Sequence, residues 1–353
     1  MRLWEKNIRQ VVPYVPGEQP AGDKIVKLNT NENPYPPAPG VKKVLEELDT
    51  DRLRKYPDPA ATVLVKELAA YYGLGEDQVF VGVGSDDVLA MSFLTFFNSD
   101  KPVLFPDVTY SFYKVWADLF KVPFETPALK EDFTIDTKDY AKENGGVIFP
   151  NPNAPTGVYM PLDQVEEILK ANQDVVVIVD EAYVDFAGPS AMELLDKYEN
   201  LLVVQTFSKS RSMAGMRIGF AMGHPDLIRA LNNVKYSYNS YTMNLPSLLA
   251  GVEAVKDKAY FESTLAKIVA TRERSKKRLV ELGFTFPDSR SNFIFASHES
   301  VPAEKIFEAL KKEQIYVRYF KTPGLDNSLR ISIGTDEEMD TLFRFLEAYL
   351  PNA

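Results

Sequence analysis

Four apolar runs constrain this chain more than anything else in it: VFVG at 79–82, GVIFP at 146–150, VVVIVD at 175–180 and LLVVQT at 201–206. They do not alternate apolar with polar residues, so each reads as a strand covered on both faces. Between them lie stretches with helical periodicity: VKKVLEELD (41–49), AATVLVKELAAYYG (60–73, stopped by Gly73), SDDVLAMSFLTFF (85–97), YSFYKVWADLFK (110–121) and PLDQVEEILKA (161–171). PVLFP (102–106) and MRIGFAM (216–222) add two further strand-like runs. Strand and helix in alternation predict an α/β fold with a mostly parallel central sheet and helices on both faces. Ser85 is the expected N-cap of its helix.

The flanks differ. Residues 1–40 are proline-rich and read as an extended, irregular arm. A long helical stretch from Asn244 to Leu282 marks a change of architecture. Beyond it NFIFAS, IYVRYF and LRISIG alternate with two helices in a smaller α+β unit. The expected division is an arm at 1–40, a large domain at 41–245 and a small C-terminal domain at 246–353. At 353 residues, two domains are the natural reading.

Composition removes several chemistries. There is no cysteine, and His224 and His298 are the only histidines. Disulfides, thiolate metal sites and a cysteine nucleophile are excluded, and a serine–histidine hydrolase is poorly supplied. Forty basic against fifty acidic residues argue against a nucleic-acid surface. No window resembles a membrane span and the N-terminus has no secretory h-region, so a cytoplasmic protein is expected.

In open α/β sheets ligands bind at the carboxyl ends of strands. After VFVG comes Val83-Gly84-Ser85-Asp86, a glycine turn feeding a helix N-terminus suited to phosphate. After GVIFP comes NPNAPTG (151–157). After VVVIV stand Asp180, Glu181 and Tyr183, and after LLVVQT stand Ser208 and Lys209. A lysine at a strand end is ordinarily a solvated surface residue; the combination changes that reading. Pyridoxal phosphate needs a lysine for its carbonyl, an anion site, a carboxylate for its ring nitrogen and a flat group against the ring. Lys209 meets the first need, Ser85, Thr206, Ser208 and Arg217 the second, and Asp180 the third. Tyr110 or Phe112 meets the fourth.

NPNAPTG, DEAY, Ser208-Lys209 and RIG (217–219), in this order, resemble the class I/II aminotransferases, fold type I pyridoxal-phosphate enzymes. LNTNENPYPPAP (28–39), KYPDP (55–59), GVGSDD (82–87) and SNFIF (291–295) are similar to the branch that transaminates histidinol phosphate. The resemblance runs from about residue 2 to the end. It implies that Lys209 binds the cofactor covalently and carries the proton between the substrate's Cα and the cofactor's C4′. Asp180 would pair with the ring nitrogen, Asn153 and Tyr183 with the ring's phenolic oxygen, and Tyr110 would stack on the ring. Gly84, Ser85, Asp86, Thr206, Ser208 and Arg217 would hold the phosphate. Tyr56 would reach the phosphate of a neighbouring subunit, which implies a homodimer with shared sites. Arg330 would grip the substrate's acidic group, with Arg318, Tyr14 and Asn29 beside it. Ala154, Val83 and Asp87 depart from the family's common asparagine, asparagine and glutamate; none is an implied side-chain ligand. The implied reaction moves an amino group between histidinol phosphate and 2-oxoglutarate. An aromatic amino-acid aminotransferase is the nearest alternative, followed by β-elimination or decarboxylation on the same cofactor. A non-enzymatic regulator module fits the acidic balance poorly.

Overall fold

A computed structural model describes residues 2–22 and 24–353. Seven strands form the larger sheet, in the spatial order β2 (Val79–Gly82), β8 (Gly219–Gly223), β7 (Leu201–Thr206), β6 (Val177–Asp180), β5 (Gly146–Pro150), β3 (Val103–Leu104), β4 (Phe124–Glu125). From β7 to β4 every pairing is parallel. Only β8 is reversed, antiparallel to both β2 and β7.

The apolar runs fail to alternate because both sheet faces are buried. Val147, Phe149, Val177, Val179, Leu201 and Val203 face one core, with α2 (Thr62–Tyr72), α5 (Leu162–Ala171) and α7 (Leu245–Lys256). Ile148, Ile178, Leu202 and Val204 face the other, with α3 (Ser85–Phe96), α4 (Phe112–Phe120) and α6 (Pro225–Tyr238). Each such side chain contributes roughly 1.5–3 kcal/mol by leaving water. The strands therefore hold a rigid plane from which their carboxyl ends project polar groups.

A second sheet has the order β1 (Val26–Leu28), β11 (Ile315–Tyr319), β12 (Leu329–Ser332), β10 (Phe293–His298), β9 (Phe284–Thr285). Helices α8 (Lys258–Glu281), α9 (Ala303–Lys312) and α10 (Asp336–Tyr349) share its core through Ile268, Ile306 and Leu342.

Three local expectations are corrected. The arm is not irregular throughout: β1 pairs in parallel with β11, Val26 opposite Ile315, and α1 (Pro39–Glu46) begins inside it. The stretch from Asn244 to Leu282 is two helices; Asp257 separates them and its side chain caps the Tyr260 N–H of α8. The N-cap of α3 is Gly84, at φ +92°, and Ser85 is the first helical residue. Gly84 faces Gly219 there, and a Cβ on Gly84 would meet the Arg217 guanidinium at 2.5 Å. Serine cannot serve where the turn needs positive φ and no side chain.

Candidate active site

The carboxyl ends of β5, β6 and β7, the N-terminus of α3 and one wall from the arm and the small sheet enclose a cavity of about 280 Å³. It brings together Tyr14, Asn29, Ser85, Asp86, Tyr110, Asp180, Tyr183, Thr206, Ser208, Lys209, Arg217, Arg318 and Arg330. Those residues span most of the chain, so only folding unites them. A larger cleft of about 930 Å³ opens elsewhere, around Phe133, Tyr159 and Arg290, and holds none of these groups.

Lys209 follows β7 in a short turn, partly buried. Its Nζ donates to the Thr30 carbonyl at 3.1 Å, while Asn33 Nδ2 donates to the Lys209 and Ser210 carbonyls. The arm thus fixes the lysine at both backbone and ammonium. Asp180 closes β6. Its Oδ2 accepts from Tyr113 Oη at 2.8 Å and its Oδ1 from the Ala182 N–H at 3.2 Å. Burial pushes the Asp180 carboxyl up to about 6, against the pull of those hydrogen bonds. Glu181 points to the opposite face, where Ser190 Oγ, the Ala191 N–H and Gln205 Nε2 donate to it. Of the two neighbouring carboxylates, only Asp180 reaches the cavity.

The anion cradle is the start of α3. A helix leaves its first N–H groups without internal partners, here those of Ser85 and Asp86, and its dipole favours negative charge there. Thr206 Oγ1 and Ser208 Oγ lie 3.0 Å apart beside it. The exposed Arg217 approaches Asp86 Oδ2 at 3.4 Å, and Tyr110 Oη donates to Asp86 Oδ1 at 2.8 Å. The Asp86 side chain thus orients Arg217 and Tyr110, leaving its N–H for an anion.

On the facing wall, Arg318 and Arg330 are cross-strand partners on β11 and β12. Arg330 donates to the Asn29 carbonyl at 3.1 Å, and burial lowers its pKa. Tyr14 stacks on Phe112 with ring centroids 4.2 Å apart, closing the side of the cavity.

Three residues implied by resemblance stand outside the cavity lining. Gly84 lies behind Ser85 as the cap. Asn153 is buried behind Ala154, its Nδ2 donating to the Val108 carbonyl and Thr156 Oγ1. Tyr56 is 82% exposed and stacks on Tyr241 instead. Sequence reasoning missed Tyr113, Thr30, Asn31 and Asn33. Tyr113 had a signal: it lies three residues after Tyr110 in a stretch read as helical, although the helix itself begins only at Phe112. The others lie in the LNTNENPYPPAP stretch that carried part of the resemblance, but nothing local assigned them a role.

Among the described residues, two buried polar atoms at or behind this cavity have no hydrogen-bond partner, Arg330 Nε in its wall and Asn153 Oδ1 behind it. Unpaired groups of this kind are costly, and they fit a site built to complete itself around a polar ligand. Together with the lysine, the buried carboxylate and the helix-end cradle, they match pyridoxal phosphate. Among the described residues no cluster of metal-ligating side chains exists.

An open sheet with a lysine, a carboxylate and an anion cradle at its carboxyl edge defines a pyridoxal-phosphate enzyme of the aminotransferase type. The comparisons agree: residues 23–346 match the family Aminotransferase class I and II, and the chain belongs to it. It is 53% identical to the histidinol-phosphate aminotransferase of Clostridium acetobutylicum, over 96% of each chain. It is 51% identical to that of Brachyspira hyodysenteriae, over 98% of each. Among solved structures, histidinol-phosphate aminotransferase from Sinorhizobium meliloti in complex with pyridoxal-5′-phosphate superposes with a TM-score of 0.82. That match has 26% identity and covers 92% of this chain and 89% of the other.

Proposed function

We propose that this chain transaminates histidinol phosphate, with glutamate and 2-oxoglutarate as the amino–keto pair, in histidine biosynthesis. The observation that carries the substrate is the Arg318–Arg330 pair. Like charges directly opposite across two strands repel, and a substrate anion between them relieves that repulsion. Two guanidinium forks also suit a phosphate dianion, and one of them can hold the carboxylate of glutamate.

Pyridoxal phosphate, when bound, supplies a carbonyl carbon for the amino group and a ring that draws electrons from the substrate's Cα–H bond. The remaining work falls to the chain. Asp180, ionised, holds a proton on the ring nitrogen. Tyr183 would donate to the phenolic oxygen and Tyr110 would stack on the ring; Asn153, whose amide hydrogens go to Val108 and Thr156, would reach that oxygen only with its side chain turned. Gly84, Ser85, Asp86, Thr206, Ser208 and Arg217 bind the phosphate. With the cofactor bound, Lys209 would be the base that takes the proton from Cα and returns it to the cofactor's C4′. Tyr14 and Phe112 keep water from that proton.

We further infer a cytoplasmic homodimer with shared sites, Tyr56 of one chain reaching the phosphate bound by the other. No nucleic-acid or membrane partner is proposed; among the described residues no helix is long and apolar enough to cross a membrane. The deciding measurement compares kcat/KM for histidinol phosphate with that for tyrosine, each with 2-oxoglutarate. Histidinol phosphate is expected to win. Arg318→Ala should lower its efficiency ten- to a hundredfold, the worth of about 1.5–3 kcal/mol for a hydrogen bond to a charged group, and affect tyrosine less. If tyrosine is preferred by the unmutated chain, the substrate assignment fails and the family assignment stands.

A further inference from the structure

Within the NTNEN stretch at 29–33, Glu32 pairs with Lys27 and Thr30, and Asn31 is left without a role. It is 1% exposed and adopts φ +57°, a left-handed conformation that asparagine tolerates better than most residues. All four of its polar groups are paired. Its backbone N–H donates to Ser332 Oγ at 2.9 Å, and its carbonyl accepts from Asn292 Nδ2 at 2.9 Å. Ser332 Oγ in turn donates to Asn31 Oδ1 at 3.1 Å. The last contact fixes the amide orientation, because turning it would strip the buried Ser332 hydrogen of its acceptor. Nδ2 is then left to donate to Tyr183 Oη at 2.9 Å.

A phenol that accepts from one side presents its own hydrogen on another. Tyr183 Oη has that single partner among the described residues, and its side chain lines the cavity. We propose that Asn31 is a positioning residue that sets the direction of the Tyr183 hydroxyl hydrogen, turning it toward the cofactor's phenolic oxygen. Through Ser332 and Asn292 it also ties that hydrogen bond to the small sheet. The proposal rests on the pyridoxal-phosphate reading above.

Asn31→Asp tests it. The side chain keeps its shape and its contact with Ser332, but offers Tyr183 an acceptor in place of a donor. The Tyr183 hydrogen should turn away from the cofactor. The readout is the bound cofactor's visible absorbance titrated against pH. Tyr183→Phe should raise the midpoint by about one to two pH units, the loss of a hydrogen bond to a charged oxygen. Asn31→Asp should raise it similarly, and should add nothing in the Tyr183→Phe background. An unmoved midpoint overturns the proposal. So does an equal shift in the Tyr183→Phe background, which would make the effect the carboxylate's charge alone. Asn31→Gly accepts the left-handed backbone and serves if the aspartate variant binds no cofactor. It should shift the midpoint in the same direction but by less, and no shift there is equally fatal. A wild-type chain showing no cofactor absorbance at all would instead sink the reaction proposed above.

Discussion

Asp180 carries a pH signature that depends on what faces it. Its folded pKa, about 6, lies above the ordinary 3.8 because burial disfavours the charge. The cofactor-free folded chain therefore holds a proton more tightly than the unfolded chain does. Stability from this group is fully present below about pH 3.8 and is lost as pH rises through about 6. At 1.36 kcal/mol per pH unit the loss is at most about 3 kcal/mol. Asp180→Asn removes the buried charge but gives up the bond accepted from Ala182, worth about 1 kcal/mol. The cofactor-free variant should thus melt higher than wild type at pH 8 by about 1–2 kcal/mol of stability and lose that advantage by pH 4. With pyridoxal phosphate present the order should reverse, since the neutral amide cannot balance a ring-nitrogen proton. Parallel thermal melts with and without cofactor decide it. The residues were legible where a strand end announced them, as with Asp180 and Lys209. They were not legible where the partner came from another part of the chain. Nothing near Asn31 in sequence points to Tyr183 or Ser332, and no residue type distinguishes the roles of Asp180 and Glu181. Only the period of the backbone, which turns successive side chains to opposite faces, separates those two.

At the scale of elements, the cradle depends on how closely β8 approaches α3. A Cβ on Gly219 would lie 2.3 Å from both the Gly84 carbonyl carbon and the Ser85 nitrogen. Gly219→Ala must displace the first turn of α3, the turn that offers its N–H groups to phosphate. Affinity for pyridoxal phosphate should fall ten- to a hundredfold, about 1.5–3 kcal/mol, while affinity for phosphate-free pyridoxal changes little. Gly215→Ala, with nothing within 4 Å, is the matched control and should leave both unchanged. Equal losses for the two ligands in Gly219→Ala would mean that the damage is not in the cradle. The elements flanking this contact were readable from apolar runs and periodicity, because burial on both faces writes itself into composition. The cap was misread because Gly-Ser at a helix start suits either residue locally; the choice is made by β8, more than a hundred positions on. Strand β1 escaped for the same reason: three residues, VKL, carry no pattern without β11 beside them.

For the whole molecule, the exposed aromatic and aliphatic side chains are informative. Leu53, Tyr56, Val63, Tyr238 and Tyr241 all lie between 46% and 82% exposed, and two of them, Tyr56 and Tyr241, stack on one another at the surface. The dimer proposed above should be complementable: mixed Tyr56→Phe and Lys209→Ala chains form hybrids in which one site is intact. Such mixtures should recover part of the activity that the parents lack, up to about one of the two sites in each hybrid dimer. Hybrids confirmed by mass yet without recovery would argue for sites contained within one chain. The pairing of β1 with β11 also has a bearing on how this molecule is made. A ribosome adding roughly 5–20 residues per second delivers Val26 and Asn31 long before Ile315 and Ser332. For tens of seconds the first strand of the small sheet has no partner, and Lys209 emerges with its neighbouring wall unfinished. A chain released before β12 is made therefore carries the cofactor lysine in a pocket that lacks the Arg330 wall, with the substrate's anion left ungripped.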